Sequence, residues 1–181
     1  STIGLSFVGA LVAFGVLMSR HAQDRHQVRT LWTWFQSGSF VVKFGFLVDP
    51  LSVTMILFVT GVGSLIHLYS IGYMHGDPRF SRFFAYMNLF AASMLVLVLG
   101  SSFVMTYLGW EGVALCSYLL VSFWVDRNSA AVAGKKAVVP NRVGDLGVLL
   151  AVFLIVQNTG TRAPAAPGAA PRLAPAPGHR N

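Results

Sequence analysis

Apolar residues fill five long stretches of this chain, and short polar interruptions separate them. A helix needs about 20 mainly apolar residues to cross the hydrocarbon core of a bilayer, with a working range of about 17–25. Thr2–Ser19, Leu51–Tyr73, Phe83–Gly100, Ser102–Trp124 and Lys136–Gln157 meet that requirement, the first at its lower edge. Asp49-Pro50, ahead of the second stretch, supplies a side-chain cap followed by a proline at the first helical position. Only Gly100-Ser101-Ser102 divides the third stretch from the fourth, so those two helices must pack as antiparallel neighbours. The predicted fold class is an all-α integral membrane protein with about five transmembrane helices, one surface β-hairpin and a disordered C-terminal tail.

The hairpin is predicted over residues 31–48, LWTWFQSGSFVVKFGFLV. Phe40, Val42, Phe44 and Phe46 alternate with Ser39, Val41, Lys43 and Gly45, and Ser37-Gly38 marks the turn. An open sheet edge cannot face lipid, so the hairpin belongs at a membrane surface, where Trp32 and Trp34 suit the headgroup region. After Gly160 the pattern stops. Five of the eight prolines lie in TRAPAAPGAAPRLAPAPGHRN, which has no apolar periodicity and is expected to be disordered. The resulting division is 1–30 as a first helix and basic loop, 31–48 as the hairpin, 49–160 as a four-helix membrane segment, and 161–181 as the tail.

Composition agrees with lipid as the solvent. Of 181 residues, 55% are hydrophobic and 10% charged, with a mean hydropathy of +0.65, whereas soluble domains carry about 25% charged residues. The net charge of +7 raises nucleic acid as a partner, but the basic residues are scattered at the ends of apolar runs. No basic face exists to follow a phosphate backbone, so nucleic-acid binding is not expected. The loops on the hairpin side carry Arg20, Arg25, Arg29 and Lys43, and the opposite loops carry Arg79, Arg82, Arg127, Lys135 and Lys136. That near balance leaves orientation undecided by charge. Cys116 is the single cysteine and is expected to pack as a small hydrophobe. No P-loop, GxGxxG, HExxH or CxxC is present, and neither a cofactor nor a metal is expected in this chain. The chain starts at Ser1 inside an apolar run with no cleavage site after it, so a signal peptide is not expected.

Glu111 stands out against this background. It lies about 14 Å into the fourth apolar stretch, near the centre of a core about 30 Å thick, in MTYLGWEGVALCSYLL. A carboxylate there costs at least about 2.5 kcal/mol on insertion scales, so such groups face a partner or a water-filled path. Either Glu111 titrates, poised between desolvation and a nearby cation, or it is a structural carboxyl hydrogen-bonded to a neighbouring helix. Gly109 and Gly112 let another backbone come close to it. In KKAVVPNRVGDLG, residues 135–147, Arg142 and Asp145 are three apart and can pair on one helix face. Lys135 and Lys136 read most simply as interfacial anchors. His67 falls about 26 Å beyond Pro50 along its helix, as an interfacial histidine or a relay member; Tyr69 and Tyr73 beside it fit an aromatic belt.

The blocks GFLVDPLSVTMILFVTGVGSLIHLYSIGYM, FSRFFAYMNLFAASMLVLVL, MTYLGWEGVALCSYLL and KKAVVPNRVGDLG occur in that order. Together they closely resemble the antiporter-like L subunit (chain 5) of proton-translocating NADH–quinone oxidoreductase, respiratory complex I. The likeness covers roughly residues 1–160. It implies a multi-pass subunit at the far end of the membrane arm in the bacterial inner membrane, with the hairpin external. It implies proton translocation without a redox centre in this chain, NADH, FMN, iron–sulfur clusters and quinone being held by other subunits. The implied partners are the lipid bilayer and other membrane-arm subunits, the neighbouring antiporter-like subunit above all. Glu111 matches the family's central membrane glutamate, which pairs with a lysine on a later broken helix. Lys136, Arg142, Asp145 and His67 match charged or titratable positions around it. The family protein is several times longer, and its broken-helix lysine, later lysine and histidine relay and lateral helix have no counterpart here. Pro140 stands where the family has a residue able to donate a backbone hydrogen bond, at a point expected to be near a helix start. The tail resembles nothing in the family; a shifted reading frame would account for it, and sequencing the genomic locus would test that. Two further readings stay open: the large subunit of a multisubunit Na+/H+ antiporter, which shares these helices, and an inert fragment that inserts but pumps nothing.

Overall fold

The computed structural model describes residues 2–19, 27–37 and 40–159, so the expected tail and the hairpin's turn position Gly38 lie outside it. The described elements are α1 Thr2–Met18, β1 Gln27–Ser37, β2 Phe40–Val48, α2 Pro50–Tyr73, α3 Phe80–Leu99, α4 Phe103–Val121 and α5 Asn128–Thr159. Helices α2 to α5 are long and apolar enough to cross a membrane; α1 is equally apolar but has 17 residues. Four of the five expected spans are thus helices of membrane-crossing length, and the first is a shorter apolar helix.

Local chemistry sets the ends. Asp49 caps α2 in a reciprocal box: its Oδ1 accepts the Ser52 N–H at 2.7 Å, and Ser52 Oγ accepts the Asp49 N–H at 2.9 Å, with Pro50 at the first turn. Within α2, Thr54, Thr60 and Ser64 donate to the carbonyls of Pro50, Ile56 and Thr60, each at 2.7 Å, so the hydroxyls need no water. The chain reverses at Gly76, whose φ of 88° only glycine adopts without strain. Ser102 starts α4, its Oγ accepting from the Met105 N–H at 3.3 Å.

Three expected boundaries are corrected. Helix α3 begins at Phe80 rather than Phe83, and α4 ends at Val121 rather than Trp124. The larger change is α5, which begins at Asn128, eight residues before the expected Lys136. Residues 128–134, NSAAVAG, are too polar and small to register as an apolar run, yet their alanines favour a helix. Pro140 therefore lies inside α5 rather than near its start. There it removes the hydrogen bond to the Lys136 carbonyl, a cost of about 3 kcal/mol that the surrounding packing must offset.

The hairpin pairs antiparallel with Trp32 opposite Phe44, and begins at Gln27, four residues earlier than expected. Irregularities between Thr30 and Trp32 and between Thr33 and Phe35 let eleven residues of β1 face nine of β2. Trp32 stacks on Phe44 with centroids 4.5 Å apart, and Phe44 meets Phe46 edge-on at 5.9 Å, as expected for alternate residues on one face. The sheet is stitched to the α3–α4 hinge: the Ser101 N–H donates to the Gly45 carbonyl at 3.3 Å, and Phe46 bridges Gly100. A Cβ on Gly45 would come 2.8 Å from Ser101 Oγ and 2.9 Å from the Arg29 carbonyl, so residue 45 must be glycine for this seam to close.

Each helix packs chiefly on its neighbours in sequence. Helices α3 and α4 meet most closely, Gly109 against Leu97 and Gly112 against Ser93. At the opposite membrane face from the hairpin, the α2–α3 and α4–α5 turns clasp each other. Arg79 pairs with Asp126 at 3.1 Å and covers the Phe123 ring, and Trp124 Nε1 donates to Asp77 at 3.4 Å. Large apolar side chains such as Phe58, Leu65, Val143 and Phe153 are exposed along the helices, as lipid or further helices require.

Candidate functional site

Glu111 is the ninth of nineteen residues in α4, so it sits at mid-helix. Its Oε2 accepts a hydrogen bond from Arg142 Nη1 on α5. Tyr107, one turn earlier on α4, lies on the same helix face as Glu111. Arg142 Nη1 also lies 3.5 Å from Asp145 Oδ2, so one guanidinium serves two acids. The predicted Arg142–Asp145 pair is present, and Glu111 joins it. A cation with two carboxylates leaves the cluster with one net negative charge when all three are ionised.

The burial of the three groups differs sharply. The Asp145 side chain is 4% exposed, that of Glu111 24% and that of Arg142 54%. Asp145 Oδ1 accepts from Trp110 Nε1 at 2.7 Å, while Oδ2 makes no hydrogen bond. Leaving a buried charge unpaired is expensive, so Arg142 is what makes both carboxylates tolerable at this depth. Beside Arg142 a cavity of about 330 Å³ opens between α4 and α5, lined by Tyr118, Lys135 and Asn141 among apolar side chains. Gly134, against Tyr118 and Ser122, lets the start of α5 approach α4.

The other two predicted residues lie apart. Lys136 is exposed on α5, six residues or about 9 Å before Arg142. His67 is buried on α2 against α3, its ring 6.0 Å from that of Phe84. Its Nδ1 is 2.8 Å from the Gly63 carbonyl, which can only accept, so Nδ1 carries a hydrogen. Nε2 is buried without a hydrogen-bond partner, at the wall of an apolar cavity of about 270 Å³. Sequence reasoning missed Trp110. A tryptophan beside Glu111 in an apolar run was the available signal, because a buried indole N–H needs an acceptor.

The comparisons with known proteins agree with this architecture. The family model described as NADH-Ubiquinone oxidoreductase (complex I), chain 5 N-terminus matches residues 34–84. That described as NADH:quinone oxidoreductase/Mrp antiporter, TM matches residues 100–164, which include Glu111, Arg142 and Asp145. NADH-quinone oxidoreductase subunit L of Mycobacterium tuberculosis is 48% identical over 164 residues, covering 87% of this chain and 26% of that protein. The subunit L of Escherichia coli is 50% identical over 131 residues, 72% of this chain and 21% of that protein. The chain thus spans about a quarter of the length of these relatives. Among solved structures, a chain of the Mrp complex from Dietzia sp. DQ12-45-1b superposes with a TM-score of 0.65 at 27% identity, over 87% of this chain and 17% of that one. Four membrane-length helices and bacterial relatives of this kind make it a multi-pass protein of the bacterial inner membrane. The chain belongs to the family of antiporter-like membrane subunits represented by NADH-quinone oxidoreductase subunit L and chain 5.

Proposed function

We propose that this chain forms part of a proton-translocating membrane subunit of an NADH–quinone oxidoreductase, in which redox energy released in other subunits drives protonation changes at Glu111. The observation that carries this is the mid-membrane carboxylate of Glu111 held by Arg142, which Asp145 shares. A carboxyl between desolvation and a movable cation can take up and release a proton as the cation approaches or withdraws. Arg142 supplies the cation from this chain, and its half-exposed position beside the α4–α5 cavity gives it room to move. Lys136 would meet protons at the end of that route nearer the start of α5, and His67 would belong to a separate path along α2. NADH, FMN, iron–sulfur clusters and quinone would reside in partner subunits, and the 181 residues alone would insert without pumping.

The test is Glu111→Gln in a full-length subunit bearing this segment. The amide keeps shape and hydrogen bonding but cannot titrate. Normal insertion and assembly are expected, with proton pumping strongly reduced and NADH–quinone turnover lost alongside it; Glu111→Asp should retain part of the activity. Wild-type pumping by Glu111→Gln in sealed vesicles would reduce the carboxyl to a structural role.

A second reading, a multisubunit Na+/H+ antiporter, is supported by the likeness to the Mrp chain. It predicts sodium-dependent proton flux under an imposed pH gradient with no NADH present. Flux that depends on NADH and ignores sodium favours the first reading.

A further inference from the structure

Asp145 is the most buried acidic residue among those described, and its two oxygens are held unequally. Oδ1 accepts the Trp110 indole N–H at 2.7 Å; Oδ2 has no hydrogen bond and faces Arg142 Nη1 at 3.5 Å. An indole N–H only donates and does not titrate, and its rigid ring fixes the direction of the bond. Trp110 directly precedes Glu111 on α4, so one short segment both pins Asp145 and presents the acceptor that engages Arg142.

We propose that Trp110 is a positioning residue for this cluster: its N–H occupies one oxygen of Asp145 and so keeps Arg142 shared between Asp145 and Glu111. The inference rests on the reading of the cluster as proton-translocating. A carboxylate with both oxygens free takes a guanidinium in a two-bond fork, the strongest geometry for that pair. The indole bond fixes the plane of the Asp145 carboxylate, and in that orientation Oδ2 faces Arg142 Nη1 at 3.5 Å rather than in a two-bond fork. Without the indole N–H, Asp145 turns both oxygens to Arg142 and draws it away from Glu111, which then lacks the cation that makes its ionised form tolerable.

The experiment uses a full-length subunit in its assembled complex, reconstituted in sealed vesicles. Trp110→Phe removes the N–H and keeps an aromatic ring. Benzothienylalanine at position 110 goes further, replacing N–H by sulfur while preserving the bicyclic shape, and it decides the matter should Trp110→Phe fail to accumulate. Both substitutions are expected to assemble and to lose pumping several-fold. In an Asp145→Asn background, where the neutral amide no longer competes with Glu111 for the guanidinium, Trp110→Phe is expected to change nothing further. Wild-type pumping with benzothienylalanine overturns the proposal, as does an equal loss from Trp110→Phe in both backgrounds, which would mark ring packing. Asp145→Asn pumping at the wild-type rate would instead remove the cluster reading on which the proposal rests.

Discussion

Gly109 of α4 lies so close to Leu97 of α3 that a Cβ at position 109 would come 2.5 Å from the Leu97 nitrogen and 2.6 Å from its Cα. Both are backbone atoms that no side-chain rotation can move. The contact fixes the spacing of the two helices one turn from Glu111's neighbour Gly112, where an added Cβ would instead meet the Ser93 side chain, its Oγ at 2.6 Å. Gly109→Ala should therefore destabilise by about 1–3 kcal/mol through overpacking. Gly72, where an added methyl group would meet nothing within 4 Å, is the control, and Gly72→Ala should be neutral or stabilising by up to about 1 kcal/mol. Thermal unfolding midpoints of the detergent-solubilised full-length protein compare the two; equal midpoints would mean that α3 and α4 are free to separate.

The Asp49–Ser52 box makes a second prediction. Asp49→Ala removes the acceptor for the Ser52 N–H and should cost about 1 kcal/mol. Asp49→Asn keeps an acceptor and should lie close to wild type. The same unfolding measurement checks it, and an Asp49→Ala protein as stable as wild type would show that neighbouring contacts, not the cap, hold the start of α2.

Arg142 and Asp145 are expected to behave as one unit. Removing the guanidinium strands a buried acid, and removing the acid alters the seat of the guanidinium. Arg142→Gln with Asp145→Asn should thus cost less than the sum of the single changes, with a coupling of about 0.5–3 kcal/mol. A double-mutant cycle on stability reads this directly, and strict additivity would show two independent charges.

Much of this architecture is legible in the sequence because lipid imposes it. A long unbroken apolar run has few alternatives, and Asp49-Pro50 announces the start of α2 chemically. The start of α5 is not legible, because helix propensity in NSAAVAG leaves no hydrophobic trace and Pro140 reads as an edge. The site was half visible. Three-residue spacing gives Arg142 to Asp145, since both lie on one helix. Its reach to Glu111, and the Trp110 bond to Asp145, depend on how α4 crosses α5, and that crossing is set by Gly134 against Tyr118 and Ser122 rather than by any local pattern.

The clasp between the two helical turns bears on how the protein is made. Arg79 finds Asp126, and Asp77 finds Trp124, 47 residues further along the chain in each case. At a synthesis rate of about 5–20 residues per second, the α2–α3 hairpin enters the membrane roughly 2–9 s before those partners exist. During that interval the charges of its turn have only water and headgroups for company, which holds the turn at its own side of the bilayer. When the α4–α5 turn arrives, the ion pair and the indole bond fasten two separately inserted hairpins at a single face. The clasp can therefore close only after α4 has been threaded and has returned the chain to the face that holds the α2–α3 turn.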